Sequence, residues 1–406
     1  MDNKYLVYFA PCGIGLGHAY RTLTVAKRLI NLLSDVEVVF STYGEAVDLI
    51  KKYGHRCLVE RPVSYLLNEE GELDLRLTLA RGPRNLYNFL RQIGDEIYFQ
   101  TMLNPNLVLS DSRLSSLIAA KIRKCPSFLV INQLKIILPM KKRAKAKNVI
   151  ERVMLNFFDT SWSHSEKIFI PDFPPPYTIS HGNIPENGDL EVLDKVVFVG
   201  PLLPVWPNEL PERKIIRERM NLDRERLILA SFSGLEKERE SLISYLLKSL
   251  SACKDVLKRE NVKIIISGGD VPSHSFDKYF KNVKEIVEIR GWIENKHQLL
   301  KASDVAITHG GHTSVIEALI YGIPAIHVIN PGHTERYSNA LSAERLGVAR
   351  ALIANKTNVT DLCSLLIEVI YDKDMYRRVS TLSKKLTRYR GDMKIASILV
   401  KKLKEA

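Results

Sequence analysis

Short apolar runs alternate with stretches of helical pattern along most of the chain. Tyr5–Ala10, Val36–Phe40, Leu107–Leu109, Phe128–Ile131 and Lys167–Ile170 are short, continuous and apolar, and read as buried strands. The pattern recurs at Leu227–Phe232, Val262–Ile266, Val287–Ile289, Val305–Thr308 and Ala325–Val328. Helical stretches lie between many of them, Leu23–Leu33 and Ser241–Leu257 among these. Strands that are apolar throughout, alternating with helices, belong to parallel sheets covered on both faces. The pattern therefore predicts an α/β protein with two doubly wound domains facing a cleft. A ligand crevice is expected at the carboxyl ends of the strands.

Proline marks the join. Half of the eighteen prolines fall between Pro171 and Pro211, where missing donors and blocked helix favour extended connection. The expected organisation is 1–200 as a first Rossmann-like domain, 201–385 as a second, and 386–406 as a C-terminal helix closing across both.

The strand Tyr5–Ala10 runs into Pro11-Cys12-Gly13-Ile14-Gly15-Leu16-Gly17-His18, with a helix expected from Thr22. Glycines let the chain turn tightly and leave amides bare at a helix N-terminus. A nicotinamide-binding fingerprint would have the same look, but two details count against it. The spacing is GxGxG, with His18 where GxGxxG needs its third glycine, and Ser41 and Thr42 follow the second strand where a ribose-binding acid belongs. His18 at a loop tip has the chemistry of a general base; its other reading is a cap for the following helix. Asp111, after the strand Leu107–Leu109, either holds the second nitrogen of His18 or caps the helix Leu114–Lys121.

Composition narrows the class. The 406 residues are 45% hydrophobic and 26% charged, with a net charge of +13, which excludes a disordered or collagen-like chain. No apolar run approaches the ~20 residues of a membrane span. The N-terminal apolar run is too short for a signal peptide, and five cysteines without CxxC pairing read as reduced thiols of a cytoplasmic protein. The charge is concentrated: Lys135–Arg152 holds seven basic residues and one acid (+6), and Lys373–Ala406 holds eleven and three (+8). Those two segments sum to +14, so the rest is nearly neutral, which argues against a nucleic-acid binder. Lys141, Lys142, Arg143, Lys145 and Lys147 run into Val149, Ile150, Val153, Met154, Leu155, Phe157 and Phe158. A basic, apolar stretch of this kind suits an anionic membrane surface or a polyprenyl phosphate, and equally a solvated lysine-rich helix.

The second half carries the more specific constellation. Strand Val305–Thr308 leads into His309-Gly310-Gly311-His312-Thr313-Ser314, opening a helix whose bare amides and positive dipole end suit a diphosphate. Glu317, one turn on, can accept both hydroxyls of a ribose. Trp292 and Ile293 follow a strand end, where the indole can stack on a base, and Glu335 and Arg336 supply polar groups for a sugar. His309, His312, His327 and His333 are near one another in sequence, but the glycines beside them suit an anion better than zinc, and no metal site is expected.

These residues resemble the nucleotide-sugar glycosyltransferases of the GT-B fold, in particular the UDP-glycosyltransferases and the bacterial lipid I N-acetylglucosaminyltransferase. Trp292 aligns with a tryptophan that stacks on uracil. His309, Gly311, Thr313, Ser314 and Glu317 match the H-C-G-W-N-S-x-x-E run, and Glu335 and Arg336 match the D/E-Q pair that touches the donor sugar. Ser233 and Gly234, with Gly15 and Gly17, fit the loops of the two domains.

The resemblance implies that 1–200 binds the acceptor and 201–385 the donor. It assigns His18 as base and Asp111 as its partner, with UDP-sugar as donor and no metal or other cofactor. It also implies a polyprenyl phosphate or glycolipid acceptor, and a cytoplasmic enzyme held peripherally at the inner membrane face. Retaining relatives carry E-x7-E, whereas here His309 stands eight residues before Glu317, which favours inversion. Arg336 in place of glutamine is expected to reach a diphosphate or a carboxylated sugar. The alternative on the same fold is a UDP-N-acetylglucosamine 2-epimerase-like isomerase, which has no use for the Gly17-His18 loop.

Overall fold

The computed structural model describes residues 5–63, 82–134, 159–184, 191–222, 224–234, 236–268, 277–330, 333–354 and 360–405. The basic stretch at 135–158 and the pair Pro331-Gly332 lie outside them. The chain forms two compact units. One takes in residues up to Pro204 together with Tyr389–Ala406; the other is Val205–Arg388.

The first unit is built on a seven-stranded sheet in the order β3-β2-β1-β4-β5-β6-β7. The strands are β1 (Tyr5–Pro11), β2 (Val36–Thr42), β3 (Arg56–Val59), β4 (Leu107–Asp111), β5 (Ser127–Val130), β6 (Lys167–Ile170) and β7 (Val196–Phe198). Every pairing is parallel. Val7, Phe9, Phe40, Leu107, Leu109 and Phe169 are fully buried in one core. Such side chains each contribute about 1.5–3 kcal/mol on leaving water. The last helix, Gly391–Glu405, belongs to this unit: Ile395, Ala396, Leu399 and Leu403 enter the same core. Arg28 Nε donates to the buried Asp392 Oδ2 at 2.8 Å, fixing that helix against Gly17–Leu32.

The second unit holds a six-stranded sheet in the order β10-β9-β8-β11-β12-β13. Its strands are β8 (Arg226–Ser231), β9 (Val262–Ser267), β10 (Val287–Arg290), β11 (Val305–Thr308), β12 (Ala325–Ile329) and β13 (Ala349–Ile353), again all parallel. Both halves are thus doubly wound α/β units, as the apolar pattern predicts.

Three strands escape the apolar pattern: β3, β7 and β13. All three are edge strands; β3 and β13 carry Arg56 and Arg350, which interrupt an apolar run, and β7 is apolar but only three residues long. The first helix begins at Gly17, not Thr22, so His18 sits in its opening turn instead of at a loop tip. The stretch Ser241–Leu257 is two helices, Glu236–Ala252 and Lys254–Arg259, broken at Cys253. The expectation of five reduced thiols is corrected too. Cys253 and Cys363 form a disulfide, their Cα atoms 6.3 Å apart, while Cys12, Cys57 and Cys125 are free. The helix Asp361–Tyr371 packs on Glu236–Ala252 and brings together two cysteines 110 residues apart, a pairing no local spacing announces.

Candidate functional site

In each sheet the strand order reverses once, and ligand crevices of open parallel sheets open at that point beyond the carboxyl ends. In the first unit the reversal lies between β1 and β4, with Pro11 opposite Asp111 in register. In the second it lies between β8 and β11, with Ser231 opposite Thr308. Each reversal carries residues singled out from the sequence.

In the first unit the chain leaves β1 through Cys12–Leu16 and enters the helix at Gly17. Gly13 is required by close approach: a Cβ there would lie 2.1 Å from the backbone oxygen of Tyr43. The turn at Gly15 then delivers His18 to the end of β4. His18 Nδ1 and Asp111 Oδ1 are 2.8 Å apart. Asp111 is fully buried and also accepts from Arg21, Nε to Oδ2 at 3.0 Å and Nη2 to Oδ1 at 2.6 Å, and from Ser112 Oγ at 3.2 Å. Burial alone would raise its carboxyl; Arg21 and then His18 overturn that and hold it below the usual carboxylate range.

The N-cap position of the helix Leu114–Ile122 belongs to Arg113, whose amide donates to Ser110 Oγ at 3.2 Å. Asp111 is therefore a partner of His18, not a cap. His18 does not cap its helix either, whose N-cap is Leu16 without a side-chain bond. Arg21 was not singled out from the sequence. The available signal was its position three residues after His18, which puts both on one helical face.

The same ends of the sheet hold a second buried cluster. Glu60, just past β3, and Glu96 share one guanidinium, that of Arg113. Glu60 oxygens have no hydrogen-bond partner among the described residues. Burial, with Glu96 beside it, pushes the Glu60 carboxyl from its ordinary 4.5 up to about 8 despite Arg113. A raised acid contributes stability that is complete below pH 4.5 and lost as pH rises through 8. Glu60→Gln, which removes that loss, should stabilise the protein at pH 8.5 and leave it almost unchanged at pH 4.5. Thermal unfolding at the two pH values checks the direction; an equal change at both would show that Glu60 is not holding a proton.

In the second unit β8 leads to Ser233 and Gly234, and β11 leads to His309-Gly310-Gly311. Gly310 has φ +75°, and a Cβ there would lie 2.9 Å from the backbone oxygen of Arg336. Only glycine suits that bend. His309 Nε2 lies 3.2 Å from Ser233 Oγ. Burial first, then the Arg336 cation, pushes the His309 imidazole well below its usual value, so the ring is neutral.

The helix His312–Tyr321 starts after Gly311, with the buried His312 and the part-exposed Thr313 and Ser314 in its opening turn. Its first amides have no partner within the helix and carry its positive dipole end. A neutral imidazole, hydroxyls and the positive end of a helix dipole make a place for an anion. Asn339 Nδ2 donates to Gly310 O at 3.3 Å and holds the loop.

Glu317, one turn further, is buried and doubly engaged: Lys296 Nζ at 2.6 Å on Oε2 and His297 Nε2 at 3.2 Å on Oε1. Burial would raise its carboxyl; Lys296 and His297 prevail and hold it down at about 2. Trp292 is 49% exposed after β10 and Ile293 is buried behind it. Glu335 opens the helix Thr334–Arg345 beside Arg336.

Arg336 already has a partner within its own unit. Both its terminal nitrogens bond the fully buried Glu238, Nη2 to Oε2 at 3.1 Å, so its charge is neutralised within the protein. Burial opposes ionisation of Glu238, but the His333 hydrogen bond and the Arg336 cation hold its carboxyl at about 2. Glu238, Lys296 and His297 had no motif to announce them. Among the described residues no group of three or more His, Cys, Asp or Glu is placed to hold a metal ion. No described helix is long and apolar enough to cross a membrane.

Residues 240–390 match the model for the glycosyltransferase family 28 C-terminal domain. An uncharacterized glycosyltransferase of Methanosarcina acetivorans is 27% identical over 401 residues, 97% of each chain. The UDP-N-acetylglucosamine--N-acetylmuramyl-(pentapeptide) pyrophosphoryl-undecaprenol N-acetylglucosamine transferase of Caldicellulosiruptor saccharolyticus is 21% identical over 408 residues, 98% of each chain. Among solved structures, the calicheamicin glycosyltransferase CalG4 superposes with a TM-score of 0.65 at 15% identity, covering 98% of both chains. Acinetobacter baumannii MurG does so with 0.60 at 14%, covering 98% of this chain and 99% of its own. With two doubly wound sheets, a C-terminal family match and relatives along the whole chain, the protein is a glycosyltransferase of the GT-B fold.

Proposed function

We propose that the protein is an inverting, metal-independent transferase that moves a sugar from a UDP-sugar to a hydroxyl or phosphate of a lipid-linked acceptor. The observation that carries the reading is the 2.8 Å contact between His18 Nδ1 and the buried Asp111. With the Nδ1 proton donated to Asp111, the lone pair of Nε2 is left to take the proton of an acceptor hydroxyl. The deprotonated oxygen attacks the anomeric carbon from the face opposite the diphosphate, which inverts the configuration. The leaving UDP develops charge where the second unit offers the amides after Gly311, the Ser233 hydroxyl and a helix dipole. The 49% exposure of Trp292 supports stacking on uracil, and the resemblance to the UDP-glycosyltransferases assigns Glu317 to the ribose hydroxyls. An isomerase acting on the same donor would leave the His18–Asp111 pair without a task.

Binding of a ligand to the native state alone raises the melting temperature. At a hundredfold excess over its dissociation constant, UDP should add about 2.7 kcal/mol, seen as a rise of several degrees. Calorimetry or dye-monitored melting with millimolar UDP tests this, and no rise would sink the donor reading.

A lipid-linked acceptor is supported by the helix Gly82–Leu103, which leaves Leu86, Tyr87, Leu90, Tyr98 and Met102 exposed. The basic stretch at 141–147 precedes an apolar run in the same half of the chain. Each Lys or Arg near an anionic leaflet contributes about 1 kcal/mol. Neutralising Lys141, Lys142, Arg143 and Lys145 together should weaken co-sedimentation with phosphatidylserine liposomes. Undiminished sedimentation rejects a membrane role for that stretch.

A further inference from the structure

We infer that Arg21 is a positioning residue for His18: by clamping Asp111 from two sides it selects the imidazole tautomer that can act as a base. The inference rests on the reading of His18 as that base. The trio is local and buried. Arg21 and Asp111 are 4% and 0% exposed, so neither charge is screened by water. Arg21 Nε and Nη2 make parallel bonds to Oδ2 and Oδ1, a bidentate fork that fixes the plane of the carboxylate. Without it the short Asp111 side chain has one torsion left to turn Oδ1 away from the ring.

The contact between Arg21 and His18 makes the choice sharper. Arg21 Nη2 lies 2.8 Å from His18 Nδ1, the same distance as Asp111 Oδ1. The carboxylate can only accept and the guanidinium can only donate. Two arrangements therefore compete. In one, Nδ1–H donates to Asp111 and Nε2 keeps a lone pair, the form that can receive a proton. In the other, Arg21 donates to a bare Nδ1, and the single imidazole proton resides on Nε2, which then cannot act as a base.

The carboxylate decides between them. As an anion, its Oδ1 is a stronger acceptor for Nδ1–H than a bare Nδ1 is for the second of the two Nη2 protons, the first being held on Oδ1 at 2.6 Å. Of the two groups beside Nδ1, only Oδ1 can accept Nδ1–H. Arg21 thus keeps Asp111 in place, and Asp111 keeps Arg21 from capturing the ring nitrogen. Lysine cannot substitute, because a single ammonium makes no parallel pair and leaves the carboxylate free to turn.

The test needs no substrate. Nitrogen-15 spectra of the histidine rings, with His18 assigned by its loss in His18→Ala, report which ring nitrogen carries the proton. The native protein should show His18 mostly as the Nδ1–H form. Arg21→Met and Arg21→Lys should both raise the Nε2–H share severalfold, as should the control Asp111→Asn. Should Arg21→Met fail to fold, Arg21→Lys, which keeps the buried charge, carries the comparison. An unchanged tautomer in the Arg21 variants, while Asp111→Asn shifts it, overturns the inference; so does a native protein already in the Nε2–H form. With a UDP-sugar turned over by the native enzyme, the Arg21 variants should also lose about tenfold or more in kcat, with the UDP-induced melting shift retained. Transfer that survives His18→Ala would remove the base reading itself, an outcome visible separately from the spectra.

Discussion

His18→Ala is expected to lower transfer by about 10³-fold, within the range a positioned general base supplies, while UDP still raises the melting temperature as in the native protein. The two halves of this expectation come from different units. His18 is on the helix that follows β1, and its partners, Asp111 and Arg21, are both in the first unit. The residues assigned to the nucleotide, from Ser233 to Glu317, are all in the second. Removing the imidazole leaves Asp111 bonded to Arg21 and Ser112, so the buried carboxylate keeps its compensation and the fold should persist. His18→Gln, which keeps a polar side chain of similar length, should be as inactive as alanine because an amide does not take up the proton. Equal loss of transfer and of UDP stabilisation would make His18 a structural or donor-binding residue.

Glu317→Gln should weaken UDP binding by about 100-fold, the order of a lost charge-assisted pair of hydrogen bonds to a ribose. The substitution keeps the shape and removes the charge. In the free protein Glu317 is held by Lys296 at 2.6 Å and His297 at 3.2 Å, so the same change also costs stability. Its carboxyl stands at about 2 in place of the ordinary 4.5. A depressed acid contributes stability that is present above pH 4.5 and lost as pH falls toward 2. By that difference the native protein should be more stable than Glu317→Gln by roughly 3 kcal/mol at pH 7, and the gap should close on acidification. Calorimetric titration with UDP well below the melting temperature separates affinity from stability. A variant that loses stability yet binds UDP as tightly as the native protein would reduce Glu317 to a structural anchor for Lys296 and His297.

Arg336 shows how a residue can be found from sequence and its partner missed. The chain after β12 places it next to Glu335, but its charge goes to Glu238, 98 residues away in the helix Glu236–Ala252. A guanidinium already neutralised in the interior offers less to a carboxylated sugar than a free one would. The same holds for Glu317, whose two partners lie twenty and twenty-one residues before it in sequence.

What the sequence determined by itself was what the chain decides over a few neighbouring residues. Continuous apolar runs such as Val305–Thr308 marked the inner strands. The glycines before His18 and His312 marked turns into helices, because tight turns and bare amides depend on consecutive residues. Edge strands β3 and β13 left a fainter trace because half-covered strands tolerate charge, and β7 because it is only three residues long. Only the tertiary structure decided the pairings: Asp111 with His18 and Arg21 across some ninety residues, Cys253 with Cys363, Glu238 with Arg336. Each depends on strand order and on which helix packs against which. Hydrophobic periodicity carries no record of either, because a run apolar on both faces fits any inner place in a parallel sheet.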